Sequence, residues 1–167
     1  MKTCTIALLA SIAAGAAFAE PPGVPERDPG YAALEHLVGR WSEKGNEATF
    51  VEICEWFQGR YHVVCRAERK RPDGTTSHGM SILSFVPGEG YVYTGIGSKG
   101  RYETLHHGTV ENDILEFRSS AVQDGKTTVT RIRIGPFAEK AMPFVVDTST
   151  DGGPWSAPDV TNYVRLE

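Results

Sequence analysis

Turn residues recur at short and regular intervals along most of this chain, and they limit its fold more than any other feature. From residue 41 onward, segments rich in β-branched and aromatic residues alternate with turns such as Pro72-Asp73-Gly74 and Gln123-Asp124-Gly125. About nine such segments follow one another at spacings of roughly 8–14 residues. Short, evenly spaced strands are typical of an antiparallel meander that closes into a barrel or forms a sandwich. Each glycine is assigned to a turn between segments.

One helical segment precedes the strands. Leu34, Leu37 and Val38 have the i, i+3, i+4 spacing of a helix face, and Gly39 is well placed to end the helix. The sequence therefore predicts a two-turn helix over residues 31–38. The predicted strands cover residues 49–57, 61–69, 77–86, 91–96, 101–109, 114–119, 126–134, 143–150 and 160–166.

Residues 1–19 have the pattern of a secretory signal peptide. Lys2 precedes an uncharged stretch over residues 3–16, and Ala17 and Ala19 provide small residues at −3 and −1 of a cleavage point. The uncharged stretch is shorter than the roughly 20 residues of a membrane span. The sequence thus predicts an exported protein. The short signal and the lack of an N-x-S/T sequon favour a bacterial source, with the protein in the periplasm or outside the cell.

The predicted mature chain has the size of one domain and a mildly acidic charge. Cleavage leaves 148 residues, with 16 lysines and arginines against 21 aspartates and glutamates. Four prolines predict an extended leader over residues 20–30, and residues 31–167 form a single predicted β-barrel domain. The acidic balance argues against nucleic-acid partners and anionic membranes, and the sequence predicts no membrane span in the mature chain. Nothing indicates a particular oligomeric state.

Two cysteines, Cys54 and Cys65, remain after cleavage, and an exported protein meets an oxidising compartment. If Gly59 and Arg60 are the two loop residues of a type II′ hairpin, residues whose numbers sum to 119 face each other. The two cysteines meet this condition, and facing positions are close enough for a disulfide. The alternatives are two free thiols or half of a zinc site, but no Cys/His pair stands at ligand spacing. The sequence predicts the disulfide.

Alternation along the predicted strands assigns an inner and an outer face. In the cysteine hairpin the inner face is mostly apolar and contains Phe50, Cys54, Trp56, Tyr61, Val63, Cys65 and Ala67. The outer face contains Glu55, His62, Arg66 and Glu68. Residues 128–134 show the same alternation, which suits a sheet with one face in solvent.

The segment from Leu37 to Trp41 places a short helix directly before a G-x-W motif at the start of the first strand. This arrangement resembles the opening of lipocalin-like, or calycin, barrels. The resemblance implies that Gly39 and Trp41 belong to the closed end of the barrel, where the tryptophan packs. It also implies an all-β, antiparallel up-and-down barrel of about nine strands with one short N-terminal helix.

Residues 31–167 are also similar to a family of exported bacterial proteins without an established activity, the DUF1579 type. The order of several short motifs along the chain supports this similarity. The motifs are Gly59-Arg60-Tyr61, Gly90-Tyr91-Val92-Tyr93, Gly100-Arg101-Tyr102, the segment from Ser149 to Trp155, and Tyr163-Val164-Arg165. This resemblance implies an up-and-down barrel and assigns no chemistry.

The polar residues form no recognisable catalytic or metal-binding motif. His106 and His107 are adjacent on a predicted strand and should point to opposite faces, so they cannot chelate one ion together. The pair Ser77-His78 is separated in the same way, and no G-x-S-x-G motif is present. Glu52 and Glu55 also fall on opposite faces of their strand, which does not suit a catalytic pair, and acids are common on the solvated face of a sheet. The sequence therefore predicts no catalytic residue, no metal and no cofactor, and favours a non-catalytic protein over an enzyme.

The aromatic residues are numerous enough to fill a barrel, but a barrel of this size can also leave a cavity for one small ligand. We therefore expect an exported barrel that binds a small hydrophobic or amphipathic molecule without catalysis. The alternative is a structural or protein-interaction module of the cell envelope with a filled core. The predicted ligand-lining residues are Trp56, Tyr61, Met80, Tyr93 and His106.

Overall fold

The computed structural model describes residues 28–100 and 102–166. The predicted signal peptide and residues 20–27 of the predicted leader lie outside the described residues. The ten strands of the described part are β1 (Gly39–Glu43), β2 (Phe50–Trp56), β3 (His62–Lys70), β4 (Thr76–Val86), β5 (Gly90–Gly97), β6 (Tyr102–Glu111), β7 (Ile114–Gln123), β8 (Lys126–Ile134), β9 (Ala141–Thr150) and β10 (Asp159–Arg165).

These strands form a closed antiparallel barrel in which each strand pairs with its neighbours along the chain. The last strand returns to the first: Trp41 on β1 lies opposite Arg165 on β10. The predicted all-β barrel is confirmed. The expected number of about nine strands is close to the ten observed, and the difference is β1, a strand of five residues that contains the G-x-W motif but was not given a range of its own.

A short helical segment covers one end of the barrel, which we call the helix end. A 3₁₀ turn over Pro29–Tyr31 leads into helix α1 (Ala32–Glu35), which ends three residues before the predicted end. Leu34 and Leu37 are fully buried and continue the apolar interior. We call the opposite end, where β1 connects to β2 and β9 to β10, the far end. Within the described residues, no helix is long and apolar enough to cross a membrane.

The β2–β3 hairpin has the predicted register, with Cys54 opposite Cys65 and their sulfurs at bonding distance. The predicted type II′ turn is wrong. The Arg60 N–H donates to the Phe57 carbonyl at 2.7 Å, and both Gly59 and Arg60 have positive φ, at 83° and 59°. Only the first central residue of a type II′ turn has positive φ. The register is unaffected, because the longer loop is centred between the same two residues.

Large side chains fill the helix end of the barrel. Trp41 is 1% exposed, and its indole N–H donates to the Leu37 carbonyl at 2.8 Å. Arg165 lies over the indole ring at 4.3 Å and donates to the Val38 carbonyl at 2.8 Å. Other large, fully buried side chains are those of Leu34, Val63, Leu105, Leu115 and Phe117.

The segment between β9 and β10 folds back over the outer face of β8 and β9. The Ser156 N–H donates to the Thr148 carbonyl at 2.7 Å, and the Trp155 ring lies 4.0 Å from the Arg131 guanidinium. Asp147, which is 4% exposed, accepts hydrogen bonds from Arg131 at 2.6 and 2.8 Å and from Arg133 at 2.9 Å. This charged cluster fixes the outside of the barrel wall and is separate from the interior.

Candidate functional site

The far half of the barrel encloses a cavity of about 430 Å³. A second cavity of about 100 Å³ adjoins it on the side of the helix end, and Glu52, Ser81, Tyr93 and Phe144 line both. The remaining lining residues of the larger cavity are Ala67, Gly79, Met80, Gly95, Ile96, Gly97, Thr130, Ile132, Val146 and Asp159. The cavity reaches the far end, because Gly97 and Asp159 are terminal residues of their strands.

Small residues on three neighbouring strands create this space. Ala67 on β3 pairs with Gly79 on β4, and Gly79 pairs with Gly97 on β5. Ser81 pairs with Gly95 two residues closer to the helix end. These positions share the inward face with Val63 and Leu83, which are fully buried nearer the helix end. The assignment of every glycine to a turn is therefore wrong. Gly79 and Gly95 lie within strands, where the missing side chains leave the barrel hollow.

The predicted ligand-lining residues fall in different places. Met80 and Tyr93 line the cavity. Trp56 and Tyr61 lie at the helix end instead: the Trp56 indole donates to Glu35 at 3.1 Å, and Tyr61 is 45% exposed. The side chain of His106 lies outside the described residues.

A β-bulge explains why strand parity is hard to follow beyond the first hairpin. Tyr91 pairs with Gly108 and Tyr93 with Leu105, so His106 and His107 together lie opposite one residue of β5. Consecutive residues in a bulge do not alternate regularly between faces. The expectation that the two histidines point to opposite faces assumed a regular strand, and β6 is not regular there.

Glu52 is the functional candidate that sequence reasoning missed. It lies on β2 and lines both cavities, at the point where they meet. Its position has the same parity as Phe50 and Cys54, which are buried inward residues. That parity could have located Glu52 inside the barrel. The acid was instead passed over, together with Glu55, because acids are common on the solvated face of a sheet.

The environment of Glu52 favours the neutral carboxyl group. Burial raises the pKa of Glu52 to about 7, and the nearby Glu43 carboxylate adds to the shift. Glu52 makes no hydrogen bond or ion pair with any residue that the structure describes. Because polar groups removed from solvent are normally paired, an unpartnered carboxyl that faces a cavity is an unusual feature.

The other charged and titratable groups around Glu52 do not neutralise it. Arg69 on β3 donates to Glu43 on β1 at 2.9 Å, and this hydrogen bond raises the pKa of the guanidinium. Burial raises the pKa of the Tyr163 phenol well above its usual range, and Glu52 and Glu43 raise it further. Asp159 adds a second acid at the far end of the cavity.

Glu52 also lies close to the disulfide. One of its oxygens and the sulfurs of Cys54 and Cys65 are within 4.8 Å of one another, which is a spacing that suits metal ligands. The two sulfurs are bonded to each other, however, so neither offers the thiolate that a metal would bind. In the oxidised protein, Glu52 is therefore the one ionisable residue of these three.

Comparison with known protein families and with characterised proteins found no match for this chain. The similarity to the DUF1579 type and to lipocalin-like barrels stays a prediction. The cavity and its residues are therefore the basis for any functional argument.

Proposed function

We propose that this protein binds one small hydrophobic or amphipathic molecule inside its barrel, without catalysis. The cavity of about 430 Å³ is the observation that carries this proposal. Its volume falls within the range of about 300–1,000 Å³ that is typical of small-molecule sites. The cavity lies inside a closed barrel and is continuous with its far end, so a ligand could enter there and lie between the strands.

The cavity walls have the mixed character that an amphipathic ligand requires. Ile132, Phe144 and Val146 provide an apolar wall, while Ser81 on β4 and Thr130 on β8 provide hydroxyl groups. A few polar groups on an otherwise apolar surface orient a ligand without preventing its burial. The alternative function, a structural or interaction module, would require a filled interior, and the cavity weighs against it.

A binding role also fits the polar residues better than catalysis does. A carboxyl with a pKa near 7 is suited to general acid–base chemistry as well as to binding. Catalysis generally needs a second positioned group, such as a nucleophile beside a base. Among the described residues that line the cavity there is no histidine, lysine or arginine, and Glu52 has no hydrogen-bond partner within the described chain.

The proposal includes export of the protein to the periplasm or the medium of a bacterium. The signal-like pattern of residues 1–19 supports export, and the Cys54–Cys65 pair suits an oxidising compartment. It also includes membership of the lipocalin-like barrels, which the closed up-and-down topology supports.

Native mass spectrometry of the protein, purified from its own compartment without refolding, tests for a retained ligand. We expect an added mass that disappears on mild denaturation, and a two-hydrogen deficit from the disulfide. The proposal fails if the protein has a bare mass and also takes up no apolar probe in the titration described next.

That titration uses the fluorescence of N-phenyl-1-naphthylamine, an apolar probe. We expect saturable binding to the wild type and a loss of at least about tenfold in affinity for Gly79→Phe, because each 1.4 kcal/mol lost is tenfold. A Cβ at Gly79 meets only ordinary contacts, at 3.7 Å and beyond, so the new ring can enter the cavity without displacing the backbone. The matched control is His78→Phe, which adds the same ring to the exposed face of β4. Equal affinities for the two variants would place the probe elsewhere.

A further inference from the structure

We propose that the ligand of this cavity is a hydrophobic amine, held with its positively charged nitrogen against Glu52 and its apolar part against the opposite wall. The inference rests on the proposed function, since it names the class of molecule that the same cavity would bind. Three independent features of the cavity lead to it: an unpartnered acid, the absence of a competing base, and aromatic rings.

The first feature is the carboxyl group itself. Glu52 lies inside the barrel wall and faces the cavity, yet it makes no hydrogen bond or ion pair with any residue described. Burying an ionisable group without a partner is unfavourable, and proteins rarely retain one without a use. A cationic ligand would supply the missing partner through a charge-assisted hydrogen bond or a close ion contact.

The second feature is the sign of the charges around the cavity. Arg69, the cation on the neighbouring strand, is held by Glu43 through a hydrogen bond of 2.9 Å and by packing against the Phe50 ring at 4.5 Å. Glu52 and Asp159 line the cavity, and the described lining includes no basic side chain. An anionic ligand would meet like charges, whereas a cation would meet opposite ones.

The third feature is the set of aromatic rings next to Glu52. Tyr93 and Phe144 line both cavities, and Tyr163 lines the smaller one. The rings of Phe144 and Tyr163 are 6.1 Å apart in an edge-to-face arrangement. Ring faces attract cations and also bury alkyl groups, so these side chains suit an ammonium group with apolar substituents.

The arrangement couples binding of the amine to the proton on Glu52. A cation binds the ionised carboxyl, so the apparent affinity falls in proportion to the fraction of Glu52 that is ionised. With a pKa near 7 this fraction rises about tenfold between pH 6 and pH 8.

The groups that face Glu52 from other strands are Glu43, Arg69, Tyr93, Tyr163 and Asp159. Since Glu43 raises the pKa of Glu52, its replacement should shift the same profile to lower pH.

Two probes of nearly identical shape test this inference on the full-length protein. Phenyltrimethylammonium has a fixed positive charge at every pH, and tert-butylbenzene is its neutral isostere. We expect the dissociation constant of the cation to decrease about tenfold from pH 6 to pH 8, in line with the ionised fraction of Glu52. That of the neutral isostere should not decrease. Both constants are measurable by titration with detection by protein NMR.

Variants of two acids on the same strand then locate the effect. Glu52→Gln should weaken binding of the cation at pH 8 by at least about tenfold, abolish its pH dependence and leave binding of the neutral isostere unchanged. Glu55→Gln removes an exposed outward acid and should leave both probes unaffected. Glutamine has nearly the shape of glutamate and removes a buried charge, so the first variant is expected to fold.

The possible failures are distinguishable. If the neutral isostere binds as tightly as the cation at pH 8, or if Glu52→Gln retains the pH dependence, the amine inference is wrong and cavity binding stands. If neither probe nor N-phenyl-1-naphthylamine binds, the proposed function itself is wrong, and the amine inference fails with it.

Discussion

Glu52 occupies a strand position whose inward direction follows from alternation alone, with Phe50 and Cys54 on the same face of β2. An acid at such a position carries a cost that depends on pH. In the folded protein the carboxyl lies on the cavity wall, partly removed from solvent and without a hydrogen-bond or ion-pair partner among the described residues, whereas in the unfolded chain water solvates it. This difference can be measured without any ligand.

The first prediction concerns stability and Glu52. Its pKa is about 7 in the folded protein, against an ordinary value of 4.5. Between these values the folded state binds more protons than the unfolded state, so the free energy of unfolding falls as pH rises from about 4.5 to about 7. The loss amounts to at most about 3 kcal/mol. We expect Glu52→Gln to remove this fall and to be the more stable protein at pH 8.

Urea unfolding from pH 4.5 to pH 8 checks this prediction. Glu55→Gln is the matched control, since Glu55 is exposed and its contact with Arg66 is long, at 3.5 Å. Parallel profiles for the wild type and Glu52→Gln would show that another group is responsible for the loss.

The second prediction concerns Asp147 on the outer wall. Its hydrogen bonds with Arg131 lower the pKa of Asp147, and the charges of Arg131 and Arg133 lower it further. A lowered pKa contributes stability at pH values above the ordinary 3.8 and loses it as pH falls through the folded value. We expect Asp147→Asn to lower the free energy of unfolding at pH 7 by about 2 kcal/mol, less than for a fully buried pair.

The same urea experiment at pH 7 and near pH 3 tests this expectation. The difference between Asp147→Asn and the wild type should shrink at the lower pH, because the wild-type carboxyl then begins to bind a proton. A difference that is constant with pH would indicate a loss of packing and not of charge pairing.

At the scale of single elements, the β2–β3 hairpin was the most predictable part of the chain. Its register follows from the position of the turn, and the pairing of Cys54 with Cys65 follows from the register. The turn type was not predictable, because Arg60 adopts a positive φ of 59° that its residue type does not favour. A two-residue loop and a four-residue loop that are both centred between Gly59 and Arg60 place the same residues opposite each other. The pairing of the cysteines therefore does not depend on the turn type.

The third prediction measures what the disulfide contributes to this hairpin. The two cysteines are 11 residues apart, a short loop for which the chain-entropy model gives about 2–3 kcal/mol. We expect the double variant Cys54→Ala, Cys65→Ala to lose this amount of unfolding free energy and to remain folded, since strand pairing continues on both sides of the bridge. Chemical denaturation with and without a reductant checks the value. The reduced wild type should resemble the double variant, and a reductant effect on the variant itself would contradict the assignment.

At the scale of the whole molecule, the fold class was predictable and the cavity was not. The barrel follows from the spacing of turns and the alternation within strands. The cavity depends on which small residues meet across strands, and Gly79 meets both Ala67 and Gly97 only in the actual register. The bulge in β6 adds a register shift of its own between β5 and β6. A one-residue change in pairing would have moved these residues apart.

The fourth prediction concerns the seam where the barrel closes. Gly39, with a φ of 146°, packs against the Arg165 guanidinium so closely that a Cβ would collide with it. We expect Gly39→Ala to lower the free energy of unfolding by about 2–3 kcal/mol, through strain and displacement of Arg165 from the Trp41 ring. Gly45→Ala is the control, since Gly45 also has a positive φ, of 85°, but has open space around it. Thermal unfolding should separate the two, and equal losses would show that backbone strain alone is responsible.

The pairing of the first strand with the last also affects when the protein can fold. The Arg165 side chain bonds to the Val38 carbonyl across 127 positions of the chain, and β1 pairs with β10 beside it. Because β1 precedes β10 in the chain, β1 is synthesised first and cannot complete its pairing until β10 has been made. The ring of hydrogen bonds therefore stays incomplete until β10 is available. Until then the chain keeps two strands with an unpaired edge, so closure of the barrel requires all ten strands together.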